Sequence, residues 1–333
     1  MSKTRRLAQL QIDAYTKDGM GLGTWSLPEG KDRQVEVPFS MPGDEVEVSI
    51  RKGKRGLLQG IPLNWVQCSK DRVTPRCSHF GQCGGCRWQH IAYSEQLLMK
   101  EEMVMRHFRP FLHGGVDVHP IIPCDPPWEY RNKMELSFSS DKEGRRYLGL
   151  ILFGTRGHVF QMHECYLMRP WVAEAVRAVS LWWEGSGLDA YHMGGDRGSL
   201  RTLVLREGER SGDRLVMLTV SGNPDYALKD KQISDFVDCL RNAIEPIESD
   251  KKLSVFLRIQ QIAKGKATQY YEMLLYGPDH IRETLYIETK PGERHSLNFR
   301  ISPTAFFQPN TRQAEKLYSK AIQLTGASLG GVV

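Results

Sequence analysis

Three cysteines within ten positions, Cys77, Cys83 and Cys86, constrain this chain more than any other feature of its sequence. Gly84 and Gly85 separate the last two cysteines, and glycine tolerates the positive φ values that a tight loop often needs to turn two sulfurs toward one centre. The spacing therefore predicts a metal loop. A tetrahedral thiolate site needs a fourth ligand, which another part of the chain must supply.

The spacing leaves two kinds of metal site open. An iron–sulfur cluster needs four thiolates, whereas a zinc knuckle could use Cys83, Cys86 and His90. Three cysteines elsewhere in the chain are candidates for the fourth thiolate: Cys68, Cys124 and Cys165. Spacing alone favours a metal site over none and does not separate iron–sulfur from zinc.

Composition places the chain among ordinary globular proteins. Its seven cysteines are an odd number, which argues against a disulfide framework. The first residues lack the apolar core of a signal peptide, and no run approaches the ~18 apolar residues of a membrane span, so we expect a cytoplasmic protein without membrane contact. The net charge of +6 suits a polyanionic partner and a slightly basic surface equally well.

Alternating apolar residues predict a small antiparallel barrel of the OB type over residues 1–68. The alternation runs through Ala8, Leu10, Ile12 and Ala14, then Val35, Val37 and Phe39, then Val46, Val48 and Ile50. Glycines 19, 21 and 23 fall in a turn between strands. They lack the full G-x-G-x-x-G spacing and the following helix, so they do not predict a dinucleotide site.

A basic loop follows the third of these strands. Arg51, Lys52, Lys54 and Arg55 place four positive charges within five positions. Such a loop suits a phosphate backbone. A solubilising hairpin tip explains the same charges equally well.

Beyond the metal loop, the pattern predicts a mixed α/β domain over residues 69–295. Helices are expected near 94–108, with Ser94 as its N-cap, and near 171–183 and 230–244. Strands are expected at 134–138, 147–153, 200–206, 214–220, 253–262, 270–276 and 281–287. Cys239 lies beside the apolar stripe of the third helix, so we expect a structural thiol.

Residues 296–333 read as the start of another domain. Asn310 is a predicted N-cap with Gln313 as its capping-box partner, and the helix should run to about Thr325. A glycine break and the beginning of an apolar strand follow. That order is how a parallel α/β unit begins.

Five motifs occur in a recognisable order along the chain. They are the turn at 18–23 with the stretch 35–46, the cysteine loop with Gln89 and His90, Tyr130-Arg131-Asn132-Lys133, Cys165, and Phe306-Phe307-Gln308-x-Asn310. Together they resemble the RNA uracil-5-methyltransferases, in particular the branch with an N-terminal TRAM barrel and a 4Fe-4S cluster that is best known for 23S ribosomal RNA. The similarity covers essentially the whole chain.

The resemblance implies a fold and two cofactors. The expected fold is α+β, with a TRAM barrel for RNA binding, a central α/β domain and the first elements of a Rossmann-like methyltransferase domain. Gln308 matches the glutamine that contacts S-adenosylmethionine. The four residues that match the 4Fe-4S ligands are Cys77, Cys83, Cys86 and Cys165. Phe306 and Phe307 either stack near the flipped uracil or belong to a core.

The resemblance also implies a reaction, S-adenosylmethionine-dependent methylation of uracil C5 in RNA. Ribosomal RNA is the expected substrate and transfer RNA the alternative. The family's nucleophilic cysteine and general base lie C-terminal to the Phe-Phe-Gln-x-Asn motif, so we predict no catalytic residue here and expect the chain alone to be inactive. Cys124 begins a Cys-Asp-Pro-Pro segment that is predicted to be a linker.

Seven residues are candidate RNA contacts: Arg51, Lys52, Lys54, Arg55, Arg131, Lys133 and Phe306. Two other functions compete with methyl transfer. One is an RNA-binding iron–sulfur protein without catalytic activity, and the other is a zinc-bearing nucleic-acid module. Metal analysis separates iron from zinc, and a methyl-transfer assay separates an enzyme from a binding protein.

Overall fold

The computed structural model describes residues 6–27, 30–53, 56–112, 115–262 and 265–325. It divides into two compact units, the first comprising Met1–Gly81 with Cys86–Pro123, and the second comprising Gln82–Gly85 with Cys124–Val333. No helix in these ranges is long and apolar enough to cross a bilayer. The division into three domains at 68 and 295 stays a prediction.

The first unit contains a closed five-stranded barrel, as the alternation predicted. Its strands are β1 (Arg6–Tyr15), β2 (Gly21–Ser26), β3 (Asp32–Val37), β4 (Glu45–Lys52) and β5 (Leu58–Gln67), in the order β1-β2-β3-β5-β4. Alternate side chains of β1, β3 and β4 fill its core: Leu10, Ile12, Val35, Val37, Val46 and Val48. The period of two therefore located the core correctly.

The barrel is not antiparallel throughout, which corrects the sequence-based prediction. Four of its strand pairs are antiparallel, but β3 and β5 pair in parallel at Val35 with Leu58 and Glu36 with Gln59. An alternating pattern looks the same in both directions of a strand, so the sequence could not reveal this closure.

Asp44 ties the barrel to the segment that follows it. Its buried carboxylate accepts hydrogen bonds from the backbone amides of Met41 and Ser69, each at 2.9 Å, and from the guanidinium of Arg72. Helix α1 (Tyr93–Phe108) lies further along this unit. Ser94 is not its N-cap, because the helix is capped at Ala92 without a side-chain hydrogen bond.

The second unit is built on a six-stranded sheet. Its strands are β6 (Lys133–Ser140), β7 (Arg146–Gly149), β8 (Leu200–Glu207), β9 (Arg214–Ser221), β10 (Leu253–Gln261) and β11 (Gln269–Tyr276), in the order β11-β10-β9-β8-β6-β7. Only the β9–β10 pair is parallel. Helices α2 (Trp171–Ser186) and α3 (Asp230–Ile244) share the large apolar core with one face of this sheet.

A hairpin packs against part of the opposite face. Its strands are β12 (Ile281–Lys290) and β13 (Glu293–Ile301), and Ile281 and Ile301 contact a second core that includes Met217 and Phe256 of the sheet. Helix α4 (Thr311–Thr325) lies along β12, where the backbone amide of Tyr286 donates to Glu315 Oε1 at 3.0 Å. This hairpin and α4 carry the residues of the candidate site.

The predicted strands and helices of this unit are present, and α2 runs three residues beyond its predicted end, to Ser186. Strand β7 ends at Gly149, four residues before the predicted end, and Ile151 and Leu152 beyond it form only isolated bridges, to Val159 and Cys83. Strand β13 was not predicted, although Leu297, Phe299 and Ile301 alternate with polar residues. Residues 326–333, which carry the predicted glycine break and strand start, lie outside the described ranges.

Candidate functional site

Asn132 fixes the backbone of the Phe306–Asn310 segment. This side chain is 3% exposed, and its amide donates to the Gln308 carbonyl at 2.8 Å and to Thr311 Oγ1 at 3.0 Å. The Asn132 backbone amide donates in addition to the Pro309 carbonyl at 2.9 Å. Two motifs that are far apart in the sequence therefore form one structural element.

Arg206 holds the beginning of the same segment. Its guanidinium donates to the carbonyls of Ser302 at 3.2 Å and Ala305 at 2.8 Å. Burial lowers the pKa of Arg206 to about 10, since desolvation disfavours its charge. The side chain nevertheless stays a cation at pH 7, and two neutral carbonyls stabilise it.

Glu283 joins β12 to the loop after β8 and to the start of α4. Its buried carboxylate accepts hydrogen bonds from the backbone amides of Glu209 at 2.7 Å and Arg210 at 3.0 Å, and from Thr311 Oγ1 at 3.0 Å. Thr311 thus donates to Glu283 while it accepts from Asn132. A continuous buried network supports the segment that carries Gln308.

A cleft of about 460 Å³ opens beside this segment. Apolar side chains form nearly all of its lining, contributed by β12, β13, the Phe306–Gln308 segment and α4: Leu285, Ile287, Leu297, Phe299, Phe306, Phe307, Gln308, Tyr318, Ala321 and Ile322. Its volume falls in the ~300–1,000 Å³ range of small-molecule sites. Gln308 is the one amide side chain in this lining, so it can orient a polar edge of a largely apolar ligand.

The two phenylalanines have different environments. Phe306 is 84% exposed, which excludes it from the core. Phe307 packs partly into the core beside Phe299, with the ring centroids 5.6 Å apart. Of the two alternatives, core packing describes Phe307, whereas Phe306 has an accessible ring that can stack on a planar partner.

The predicted linker at Cys124 contacts the site. Asn310 Oδ1 caps α4 by accepting from the Gln313 backbone amide at 3.0 Å, as predicted, and Asn310 Nδ2 donates to Cys124 Sγ at 3.3 Å. The linker therefore lies against the start of α4.

The four predicted metal ligands are divided between the units, Cys77 and Cys86 in the first and Cys83 and Cys165 in the second. All four are partly exposed. In the second unit, Cys83 and Cys165 both pack against the large core. The Gly85 backbone amide donates to Cys83 Sγ at 3.2 Å.

The predicted RNA contacts within the described ranges belong to both units. Arg51 and Lys52 are exposed at the end of β4, and Lys54 and Arg55 lie outside the described residues. Arg131 is exposed, and Lys133 begins β6 opposite Arg206 of β8.

Sequence reasoning placed Asn132 in a motif but identified neither its structural role nor those of Arg206 and Glu283. Asn132 carried a signal, because it is in phase with the buried positions Met134 and Leu136 of β6. A polar residue on the buried face of a strand predicts an amide with buried hydrogen-bond partners. The partners themselves could not be identified from the sequence.

The sequence of this chain is similar to those of several curated proteins. An uncharacterized RNA methyltransferase of Protochlamydia amoebophila is 58% identical over 299 residues, which are 90% of this chain and 67% of that protein. One of Chlorobaculum tepidum is 30% identical over 302 residues, covering 86% and 58% of the two chains. No protein-family model matches.

A solved structure is also similar in fold. It is the tRNA (uracil-54, C5)-methyltransferase of Pyrococcus abyssi in complex with S-adenosyl-L-homocysteine, with a TM-score of 0.62 and 24% identity over 95% of this chain and 65% of that one. The chain thus spans about three fifths to two thirds of the length of these proteins.

Proposed function

This chain belongs to the family of RNA methyltransferases, and from that premise we propose that it takes part in S-adenosylmethionine-dependent methylation of uracil C5 in RNA. One observation carries the proposal: Asn132 fixes the backbone of Gln308 at the wall of an apolar cleft. Ribosomal RNA is the proposed substrate, with transfer RNA as the alternative, and the cytoplasm is the proposed compartment.

The chain's own residues would bind and orient the cofactor. S-Adenosylmethionine would supply the methyl group from its sulfonium. The cleft suits the apolar parts of such a ligand, and the Gln308 amide offers both a donor and an acceptor to its polar edge. Phe306 offers an exposed ring on which an unstacked base can lie.

The methyl-transfer step needs a nucleophile that adds to uracil C6 and a base that removes the C5 proton. We assign four of the seven cysteines to a metal cluster and none to this nucleophile. We therefore propose that the nucleophile lies outside these 333 residues and that the chain alone transfers no methyl group.

The 4Fe-4S cluster stays part of the proposal, held by Cys77, Cys83, Cys86 and Cys165. Local geometry at Cys83 fits it, because the Gly85 amide donates to Sγ and a Cβ at Gly85 would come within 3.3 Å of that sulfur. Amide hydrogen bonds to sulfur are typical of iron–sulfur sites. We propose a structural role for the cluster.

The methylation assay uses the chain joined to the part of the Protochlamydia relative that lies outside the matched region. With labelled S-adenosylmethionine and unmodified ribosomal RNA, we expect 5-methyluridine as the product by mass spectrometry. Gln308→Ala should raise the KM for S-adenosylmethionine about tenfold, the loss of roughly one or two hydrogen bonds. Gln323→Ala is the control, since this exposed amide of α4 does not line the cleft and donates to the Glu288 carbonyl of β12 at 3.1 Å.

Two results would contradict this function. One is a methylated base other than uracil, and the other is an equal effect of the Gln308 and Gln323 substitutions. Methyl transfer by the isolated 333-residue chain would refute the separate claim that it is inactive. RNA binding without any transfer, even in the joined protein, would favour the iron–sulfur binding protein instead.

Metal analysis of anaerobically purified chain tests the cluster. We expect about four irons and four sulfides per chain. Cys165→Ser should lower the iron content, and Cys239→Ser should leave it unchanged. Zinc at one per chain without iron would assign the loop to a zinc site.

A further inference from the structure

The outer end of the β10–β11 hairpin is an unexplained surface of the second unit. Strand β11 is the outermost strand of the six-stranded sheet, and its first six residues are exposed. Tyr270 and Tyr271 are 45% and 50% exposed. Aromatic side chains that are exposed on an open strand edge offer a surface to which another molecule can bind.

Register places these tyrosines on opposite faces of the hairpin. Tyr271 is opposite Ile259, which packs toward the large core, whereas Tyr270 is opposite Gln260 on the other face. The guanidinium of Arg258 lies 3.8 Å from the centroid of the Tyr270 ring. One face of that ring is therefore covered by a cation, and the exposure of the side chain leaves the other face accessible.

The charged residues of the hairpin indicate which class of partner it could bind. The described residues between 258 and 272 include two basic side chains, Arg258 and Lys266, and one acidic side chain. The acid, Glu272, lies 3.5 Å from Arg258 Nε, so it already has a cation beside it. Gln260, Gln261 and Gln269 add side-chain amides at the same end of the hairpin. A basic surface with aromatic rings and amides matches single-stranded nucleic acid.

We propose that the outer end of the β10–β11 hairpin binds a single-stranded segment of the RNA substrate, with a base stacked on Tyr270 against the Arg258 cation. The inference rests on the proposed function, which requires an RNA substrate. A base stacks on any aromatic face without regard to its sequence. The hairpin would thus hold nucleotides of the substrate without selecting the target uridine itself.

The test measures the affinity of the full chain for a fluorescein-labelled 12-nucleotide oligouridine by anisotropy. Loss of one base–aromatic stack weakens binding by roughly fivefold to a hundredfold. We therefore expect Tyr270→Ala to raise the Kd at least about fivefold, and Tyr270→Phe, which keeps the ring, to bind as the wild type does. A thermal melt of Tyr270→Ala is the control for folding of the variant.

Arg241→Ala is the matched control. Arg241 also stacks on a tyrosine of β11, Tyr276 at 4.6 Å, but at the far end of the strand. Arg258→Ala should weaken binding, and Arg241→Ala should leave it unchanged. An equal loss of RNA affinity in both variants would mean that only the net charge of the chain matters, and it would overturn the hairpin site.

The remaining outcomes are distinct. A wild-type chain that binds no RNA contradicts the proposed function itself. A wild-type chain whose RNA binding is unaffected by Tyr270→Ala overturns only the hairpin site. Mass photometry tests a second copy of the chain at this strand edge: a dimer that Tyr271→Ala dissociates, with unchanged RNA affinity, would assign the edge to self-association and refute the inference.

Discussion

Replacing Asp213 with Asn should loosen the hairpin that carries the cleft. Asp213 is 1% exposed and joins three parts of the second unit. Its carboxylate accepts two bonds from the Arg282 guanidinium, at 2.8 Å each, one from the Arg282 backbone amide at 3.0 Å and one from the Lys252 backbone amide at 2.9 Å. Arg282 belongs to β12, and Lys252 directly precedes β10.

The magnitude follows from these four bonds. An asparagine offers one acceptor oxygen, and its amide nitrogen faces donors, so at least two of the four donors lose their acceptor. Hydrogen bonds to charged groups contribute about 1.5–3 kcal/mol each. The Arg282 side chain is 50% exposed and regains water, so we discount the sum to about 2–4 kcal/mol.

The assay is hydrogen exchange of the β12 and β13 amides, followed by mass spectrometry at pH 7. A loss of about 2–4 kcal/mol makes opening roughly 30- to 700-fold more frequent. The control is Asp235→Asn, which removes an exposed ion pair with Lys231 on α3. An exposed pair contributes little, so the control should exchange at nearly the wild-type rate.

The effect of Asp213→Asn should also depend on pH. Burial by itself would raise the pKa of Asp213, but the hydrogen bonds from Arg282 and Lys252 outweigh burial and hold it below its ordinary 3.8. A lowered pKa means that the carboxylate stabilises the fold above pH 3.8 and that this contribution is lost as the pH falls through the folded pKa. Urea midpoints of wild type and variant should therefore converge at low pH.

Two results would refute this reasoning. One is an exchange rate in Asp213→Asn that is no faster than in Asp235→Asn. The other is a difference in urea midpoint between wild type and Asp213→Asn that stays constant from pH 7 down to pH 2.5. Either would mean that the buried carboxylate does not bind Arg282 as a charged partner.

Three further substitutions or modifications test other parts of the structure. Asn132→Ala removes two buried hydrogen bonds, worth about 1–3 kcal/mol, so amides 306–311 should exchange at least about fivefold faster; unchanged exchange would contradict the network. Gly149→Ala places a Cβ 2.0 Å from the Phe160 carbonyl and should destabilise the fold by about 1–3 kcal/mol in thermal melts, whereas Gly185→Ala in α2 meets no atom within 4 Å and should stabilise it slightly; the reverse order would refute the packing at β7. Burial raises the pKa of the partly exposed Cys239 to about 12, and its thiol donates to the Phe236 carbonyl at 3.1 Å, so it should react with a disulfide reagent at pH 8 much more slowly than exposed Cys68; labelling of Cys239 as fast as that of Cys68 would contradict this environment.

Local periodicity determined much of this fold. Val35, Val37, Val46 and Val48 alternate with polar residues, and that pattern alone placed them in a barrel core. Helix α3 was predicted to its observed ends, because its apolar stripe and flanking residues are features of one short stretch of chain. The order of the motifs indicated the RNA methyltransferase family, which the relatives confirm.

Contacts between distant residues were decided only by the tertiary structure. The parallel closure of β3 on β5 leaves no trace in an alternating pattern, and β13 was missed although it alternates. The sequence contained both the Asn132 motif and the Gln308 motif, but their hydrogen bond joins residues 176 positions apart. Periodicity reports which face of an element is buried, and it carries no information about which distant atom satisfies a buried polar group. Only the folded chain brings Asn132 to the backbone of Gln308 beside the cleft.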